Sequence, residues 1–558
     1  MKQWFRSGTP WIWLTGGAVT LSLVMVIGLL SLIAVRGLSH FWPAPVVTTE
    51  VLNPETGERR AILGEIARSE VIPARVAYDA GQVVPEDRLD TVIERFLFKV
   101  GNRDQSGADF EWHTELVLAP FTRPDHAMVL ERREWGNFYG YPEALLVDGE
   151  ITALAQDPTF YAQLDELVAR SVALHDDIQR IERREVGAIN RDLNQLRLNL
   201  RRLDLDNVTG AARAEVEARV AAERAELDLR FAEQRQALDR LYADTLRDIL
   251  RMRMANGNTV DISLAQIVRV TRPNQLSWGQ KALEYVDRFW VFLSTDPREA
   301  NTEGGIFPAL FGTVTMVFVM SIIVTPFGVL AAIYLREYAK QGPITRAIRI
   351  SVYNLAGVPS IVFGVFGLGF FVYFLGGNID QLFFKAQLPR PTFGSPGLFW
   401  ASLTLALLTL PVVIVSTEEG LARIPSTIRQ GSLALGATKS ETLWKVVVPL
   451  AAPAMMTGLI LSIARAAGEV APLMLVGVVK LAPSLPIDGT FPFIHLERQF
   501  MHLGFHIYDV GFQSPNVEAA RPLVYATALV LVMLIVILNL AAIGIRNHLR
   551  EKYRSDSD

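Results

Sequence analysis

Arg465 and Glu469, four residues apart, stand inside the long apolar run from Ala451 to Val479. If that run is one helix, Arg465 lies 12 residues past Pro453, about 18 Å along the axis and near the middle of a ~30 Å hydrocarbon layer. A cation at that depth costs at least ~2.5 kcal/mol on insertion scales, so it needs a partner or a task. Glu469, at i+4, can reach it on the same helical face. Two readings stay open: a neutralised pair that helps the helix insert, or a polar station on a permeation path.

Other chemistries fail on spacing. The stretch Gly431-Ser-Leu-Ala-Leu-Gly436-Ala-Thr-Lys439-Ser440 looks like a phosphate-cradling loop, but that motif needs lysine directly after the second glycine and here it comes two positions late. The chain is therefore not expected to bind or hydrolyse ATP. No zincin-like H-E-x-x-H or G-x-S-x-G nucleophile elbow occurs, and His495, His502 and His506 read as loop or interfacial residues with no metal bound. The absence of cysteine excludes disulfides, thiolate metal sites and cysteine nucleophiles. A net charge of −4 argues against nucleic acid.

The elements that position these residues are membrane helices. Half of the 558 residues are apolar, and runs long enough to cross a bilayer occur at Trp11–Val35, Ala309–Leu335, Val352–Leu375, Leu398–Ser416, Ala451–Val479 and Pro522–Ile545. The first exceeds the apolar core of a secretory signal and reads as a retained anchor. Six spans put both termini on one side. Lys2 and Arg6, then Arg336, Lys340, Arg346 and Arg349, then Arg423, Arg429, Lys439 and Lys445, then the basic tail make that side cytoplasmic. The opposite short loop, Gly376 to Gly397, carries only Lys385 and Arg390.

Residues 44–300 contain no membrane-length run and are expected outside the cytoplasmic membrane. Within them, 44–158 reads as mixed and β-rich, with strand-like pieces at Glu115–Ala119 and Ala144–Ile151. Residues 159–255 read as a long antiparallel coiled-coil hairpin. Its seam runs through Leu167, Leu174, Ile178 and Ile181, slips by one residue, and resumes at Val186, Ile189, Leu193, Leu196, Leu200 and Leu203. The chain turns at Asp204 to Gly210 and returns through Val216, Val220, Leu227, Phe231, Leu238 and Leu241; 256–300 is a return segment.

Between the fourth and fifth spans, 417–449 reads as a docking segment: short amphipathic helices broken at Pro425 and Gly436, with Pro449 ending the surface helix so that the chain can turn into the membrane. Small residues at Gly431, Ser432 and Ala434 leave a shallow surface for a partner, although an ordinary interfacial helix has the same periodicity. The spacing from Gly436 to Val446-Val-Val448-Pro449 resembles the EAA loop of ABC-importer permeases. In that alignment Gln430, Gly431 and Ser432 take the lead positions, with Gln430 where the family often has an acid, and Glu418 or Glu419 is available to compensate. Gly357–Gly369, Pro326–Tyr338, Thr417-Glu-Glu-Gly-Leu and Ile463-Ala-Arg-Ala-Ala-Gly-Glu-Val-Ala-Pro472 further resemble the A-type permease subunit of the phosphate-specific ABC importer. The Gly-Glu-x-Ala-Pro ending separates that type from its C-type partner.

The resemblance covers roughly 301–548 and the first span in position. It implies an all-α polytopic membrane protein of six transmembrane helices, with the N-terminus and first span at 1–43, a permease core of five spans at 301–548 and a cytoplasmic tail at 549–558; the family says nothing about the insertion at 44–300, which the topology alone makes periplasmic. It also implies inward phosphate transport by alternating access, with Arg465 and Glu469 on the substrate path. Gln430, Gly431, Ser432, Ala434, Gly436, Ala437, Val446, Val448 and Pro449 would face the ATPase. The implied partners are a C-type permease, two ATP-binding subunits that use ATP and Mg, a periplasmic phosphate-binding protein and membrane lipid. Two alternatives remain: a permease for sulfate or molybdate, or a signalling scaffold acting through the hairpin.

Overall fold

A computed structural model describes residues 7–53, 56–79, 81, 84–514 and 517–554; Lys2, Arg6 and residues 555–558 of the basic tail lie outside them. The chain forms two compact units, one of Phe41–Trp290 and one of Met1–His40 with Val291–Asp558.

The Phe41–Trp290 unit holds two antiparallel sheets. β1 (Val46–Leu52), β2 (Arg59–Pro73), β3 (Val92–Lys99) and β4 (Phe110–Thr114) form a meander in chain order. The second sheet contains β5 (Met128–Arg132), β6 (Phe138–Val147), β7 (Glu150–Leu154), β8 (Asp248–Arg253), β9 (Thr259–Ser263) and β10 (Ile267–Thr271). Its order is β10-β5-β6-β8-β9, with β7 also on β6.

The sequence reading differs here in two places. Residues 248–271, assigned to the end of the hairpin and a return segment, are strands that complete this sheet, because β6 pairs with β8 across about a hundred residues of chain. Glu115–Val117 is a 3₁₀ turn between β4 and β5, not a strand.

A helical hairpin leaves this sheet after β7. Phe160–Arg180 runs through a π turn at Ile181–Val186 into Gly187–Leu205, and Ala211–Thr245 comes back. The one-residue slip in the apolar spacing falls at that π turn, which takes up one extra residue. Ile189, Leu196, Val220 and Leu227 are buried between the two arms, with Leu193, Leu200 and Val216 packed on them. The base is anchored by Phe160 and Leu164 in the core of the sheet, and by Asp248, buried beneath Arg170 at 2.8 Å and Arg247 at 2.7 Å.

Among the described residues the other unit contains six helices long and apolar enough to cross a membrane: Trp11–Ser39, Phe307–Tyr338, Ser360–Phe383, Leu398–Arg423, Lys439–Gly468 and Ala520–His548. Their shared core joins Met316, Met320 and Val324 of the second, Leu405, Leu408 and Val413 of the fourth, and Ala466 and Ala467 of the fifth. Buried Thr313 and Thr409 return their hydroxyls to the carbonyl four residues back, which satisfies them within the apolar core.

Three span boundaries move from their expected places. The third span starts at Ser360 because Pro343–Leu355 is a helix of its own, and Val358, standing before Pro359, is biased out of the helical region. Lys439–Gly468 is one continuous helix, so Pro449 does not end a surface helix. A π turn at Leu443–Val447 precedes that proline and frees the carbonyl it cannot bond. The fifth span ends at Gly468, with Glu469 already extended at φ −78°, ψ 134°; after Pro472 the chain returns to helix only for the single turn Leu473–Val476, although the sequence stays apolar to Val479.

Candidate functional site

Arg465 sits in the last turn of the fifth span and Glu469 is the residue that caps it, so the pair is at a helix end and not at the centre of a longer helix. Arg465 Nε donates to Glu469 Oε1 at 3.3 Å. This is the one hydrogen bond of that guanidinium among the described residues, and its side chain is 34% exposed against 19% for Glu469. A cation in the last turn also meets the negative end of the helix macrodipole, which offsets part of the cost of carrying it in an apolar segment. The Nη donors are therefore available to an oxyanion while Nε is held. Close by, Gly364 of the third span lies against the break after Glu469: a Cβ there would stand 2.6 Å from Pro472 Cα.

The segment between the fourth and fifth spans folds as Ser426–Ala434, a turn, and the start of the fifth span at Lys439. Gly436 makes that turn at φ +89°, a conformation that only glycine adopts cheaply. Thr438 then caps the next helix in a reciprocal capping box with Glu441. Gln430, Gly431, Ala434 and Gly436 are exposed, while Ser432 and Ala437 are half-buried; Ser432 Oγ lies 2.9 Å from Thr442 Oγ1. Val446, Val448 and Pro449 lie partly buried in and after the π turn. Leu435 is 91% exposed, and Ile428, Leu433 and Trp444 add apolar surface around it. Small polar residues beside exposed leucines suit a docking face.

One ion pair holds this segment to the spans and a second ties the Pro343–Leu355 helix to the fourth span; sequence reading saw their arginines only as topological charges. Arg429 donates to Glu337 Oε1 at 2.9 Å and to the carbonyls of Ile424 and Leu421 at 2.7 and 2.8 Å, which caps the carbonyl end of the fourth span. Arg349 donates to Glu418 Oε1 at 3.1 Å, to Gln341 Oε1 at 3.0 Å and to the Leu335 carbonyl at 3.1 Å. Glu418 is thus buried and engaged, and it does not supply the acid missing at Gln430. Glu419 remains exposed.

The histidines occupy the connection between the fifth and sixth spans, and all three are buried there. His495 lies between Asp488 at 3.2 Å and Glu497 at 3.3 Å. His502 Nδ1 accepts from Gly504 N at 3.1 Å. Burial pushes the imidazole of His502 down to about 3, and that of His506 to about 4 against the opposing pull of Asp509. Among the described residues no group of three His, Asp or Glu is arranged to hold a metal.

A family profile described as "Binding-protein-dependent transport system inner membrane component" matches residues 324–555. The chain is 34% identical over 244 residues to the "Phosphate transport system permease protein PstA 1" of Mycobacterium tuberculosis, covering 44% of this chain and 71% of that protein. It is 31% identical over 241 residues to the "Probable phosphate transport system permease protein PstA" of Methanocaldococcus jannaschii, covering 42% and 73%. A solved inward-facing structure of the MetNI methionine ABC transporter aligns with 47% of this chain and 98% of its own at 18% identity, with a TM-score of 0.31.

Proposed function

The chain belongs to the family of binding-protein-dependent transport system inner membrane components, and from that premise we propose that it is the permease subunit of an ATP-driven importer of inorganic phosphate. The observation that carries the cargo is that relatives sharing 34% and 31% identity over about seven-tenths of their own length are phosphate transport permeases by name. The same names favour phosphate over sulfate or molybdate, and a working permease over a signalling scaffold.

In this reading Arg465 meets the anion with its free Nη donors while Glu469 keeps the guanidinium from trapping it. The face around Leu435, Ser432 and Ala434 docks on a cytoplasmic ATPase that supplies ATP and Mg chemistry, and the clamps at Glu337 and Glu418 pass its motion to the second and fourth spans. A C-type permease chain, two ATPase subunits and an extracytoplasmic phosphate-binding protein complete the assembly. The termini lie in the cytoplasm and the Phe41–Trp290 unit on the opposite side, in keeping with the basic loops.

The test is ATP-dependent uptake of labelled phosphate by the reconstituted assembly, with sulfate and molybdate as competitors. Arg465→Gln removes a charge-assisted hydrogen bond of ~1.5–3 kcal/mol, so uptake should fall roughly ten- to a hundredfold with assembly intact. Unchanged uptake by that variant removes Arg465 from the path; efficient competition by sulfate or molybdate removes the cargo.

A further inference from the structure

The helix Trp278–Ser294 presents three different faces. On the charged face, Glu284 takes Arg288 at 2.9 Å and Arg269 of β10 at 3.0 Å, and Arg269 also reaches Asp287 at 2.7 Å. On the aromatic face, Phe41 packs edge-on against Phe289 with centroids 5.2 Å apart, and Trp42 lies 6.0 Å from Tyr285 and 5.8 Å from Trp278. The third face carries Leu283, Val286 and Trp290 at spacings of three and four, and they are 73%, 63% and 65% exposed.

Chain connections say what covers that face. Phe41 and Trp42, which stack on the helix, stand two and three residues past the end of the first span at Ser39. The carboxyl end of the helix is tied to the start of the second span: Ile306 N donates to the Phe292 carbonyl at 2.8 Å and Phe307 N to the Thr295 carbonyl at 3.1 Å. The helix therefore sits where two membrane spans emerge, both on the same side of the bilayer. A stripe of leucine, valine and tryptophan bordered by charges at that level matches the interfacial environment, where the indole sits among headgroups and aliphatic side chains reach the acyl chains.

We propose that Trp278–Ser294 lies flat in the interfacial layer of the membrane, with Leu283, Val286 and Trp290 immersed in lipid. The partner is the bilayer itself. This rests on the flanking helices spanning a membrane and not on the phosphate assignment, so uptake and the following experiment fail separately.

The chain has no native cysteine, so nitroxides can be placed singly at Leu283→Cys, Val286→Cys and, on the opposite face, Lys281→Cys in the full-length protein. The protein is reconstituted in phosphatidylcholine–phosphatidylglycerol vesicles, and collisions with oxygen and with a water-soluble nickel chelate are measured. The ratio of oxygen to nickel accessibility should be several-fold higher at 283 and 286 than at 281. Equal nickel access at all three sites means water covers the face and overturns the proposal. Labels at 283 and 286 that are immobile and shielded from both reagents mean a protein covers it, which also overturns it. Should a label disturb the fold, the difference in quenching by brominated phosphatidylcholine between the native chain and Trp290→Phe reads the same face. A strongly quenched Trp290 component supports immersion, and an unquenched one refutes it.

Discussion

Replacing Arg429 with methionine keeps the length and apolar stem of the side chain and removes three hydrogen bonds, to Glu337 Oε1, Ile424 O and Leu421 O. Breaking one partner of a buried pair costs ~3–5 kcal/mol, and bonds from a charged group ~1.5–3 kcal/mol each. The Arg429 and Glu337 side chains are 22% and 14% exposed, so water recovers part of that loss and the lower end, about 3 kcal/mol, applies. The loss falls on the attachment of Ser426–Ala434 and not on the spans, so local opening of that helix should increase roughly a hundredfold. Hydrogen exchange of the purified full-length chain reads this directly, with amides of the second span as the internal control. Glu337→Gln supplies the second arm of a cycle, and the double variant should lose less than the sum of the singles by ~1 kcal/mol or more. Exchange within about threefold of native for Arg429→Met, or strict additivity with Glu337→Gln, would refute the assignment of this pair as the attachment point.

Leu435→Asp changes a 91% exposed side chain, so stability should move by no more than ~0.5 kcal/mol while co-purification with the ATPase is lost; intact co-purification would remove Leu435 from the docking face. Cysteines at Ser432 or Ala434 should cross-link to the ATPase in the assembled transporter, and failure along all of 426–440 would remove the docking assignment. His502 and His506 are buried with depressed values, so the unfolded chain binds protons first as pH falls below about 6.5. Their contribution is complete above that pH and is lost as pH drops toward about 4, at up to ~1.4 kcal/mol per unit per histidine. Thermal midpoints in detergent should therefore decline from pH 7 to 5, and His506→Gln should flatten the decline; an unchanged slope contradicts the burial argument. Above pH 5 this is separate from Glu111, whose hydrogen bond from His113 and pairing with Arg60 hold it at about 2 and affect stability only below about 4.5.

What was legible in the sequence follows from which physical signal each feature leaves. Six spans were legible because length and hydropathy are properties of a contiguous run. The fifth span's end was not, because the run stays apolar to Val479 while its backbone breaks at Glu469, and hydropathy carries no information on a break set by Gly468 and Pro472. The hairpin's alternating spacing is local and was legible from Ile189 to Leu227, whereas Phe231, expected on the seam, is exposed; the pairing of β6 with β8 is not local, since the registering residues stand about a hundred positions apart. Thr438-Lys-Ser-Glu441 was a capping box in plain sight. The clamps at Arg349–Glu418 and Arg429–Glu337 were beyond reach, because a charge in a basic loop looks the same whether it orients the chain or bonds a span 69 or 92 residues away.

The break at Glu469 changes what the Arg465–Glu469 pair can do. In an unbroken helix, i and i+4 side chains are held at fixed separation by the backbone, and releasing one from the other takes a rotamer change alone. Glu469 instead stands on an extended residue between the helix and Pro472, and Pro472 is fixed by its contact with Gly364 on the third span. Glu469 N still donates to the Ala466 carbonyl at 3.3 Å, so the acid lies between the fifth span and Pro472, and we expect sliding of the third span against the fifth to change its distance from Arg465. Gly364→Ala tests this coupling: its methyl would meet Pro472 Cα at 2.6 Å and the Pro472 carbonyl oxygen at 3.0 Å, both backbone atoms with no side-chain freedom to yield. Uptake should fall with Arg465 and Glu469 intact, and the distance between nitroxides at positions 469 and 465 should widen in the variant. Normal uptake with an unchanged distance would show that the third span does not hold the acid in place.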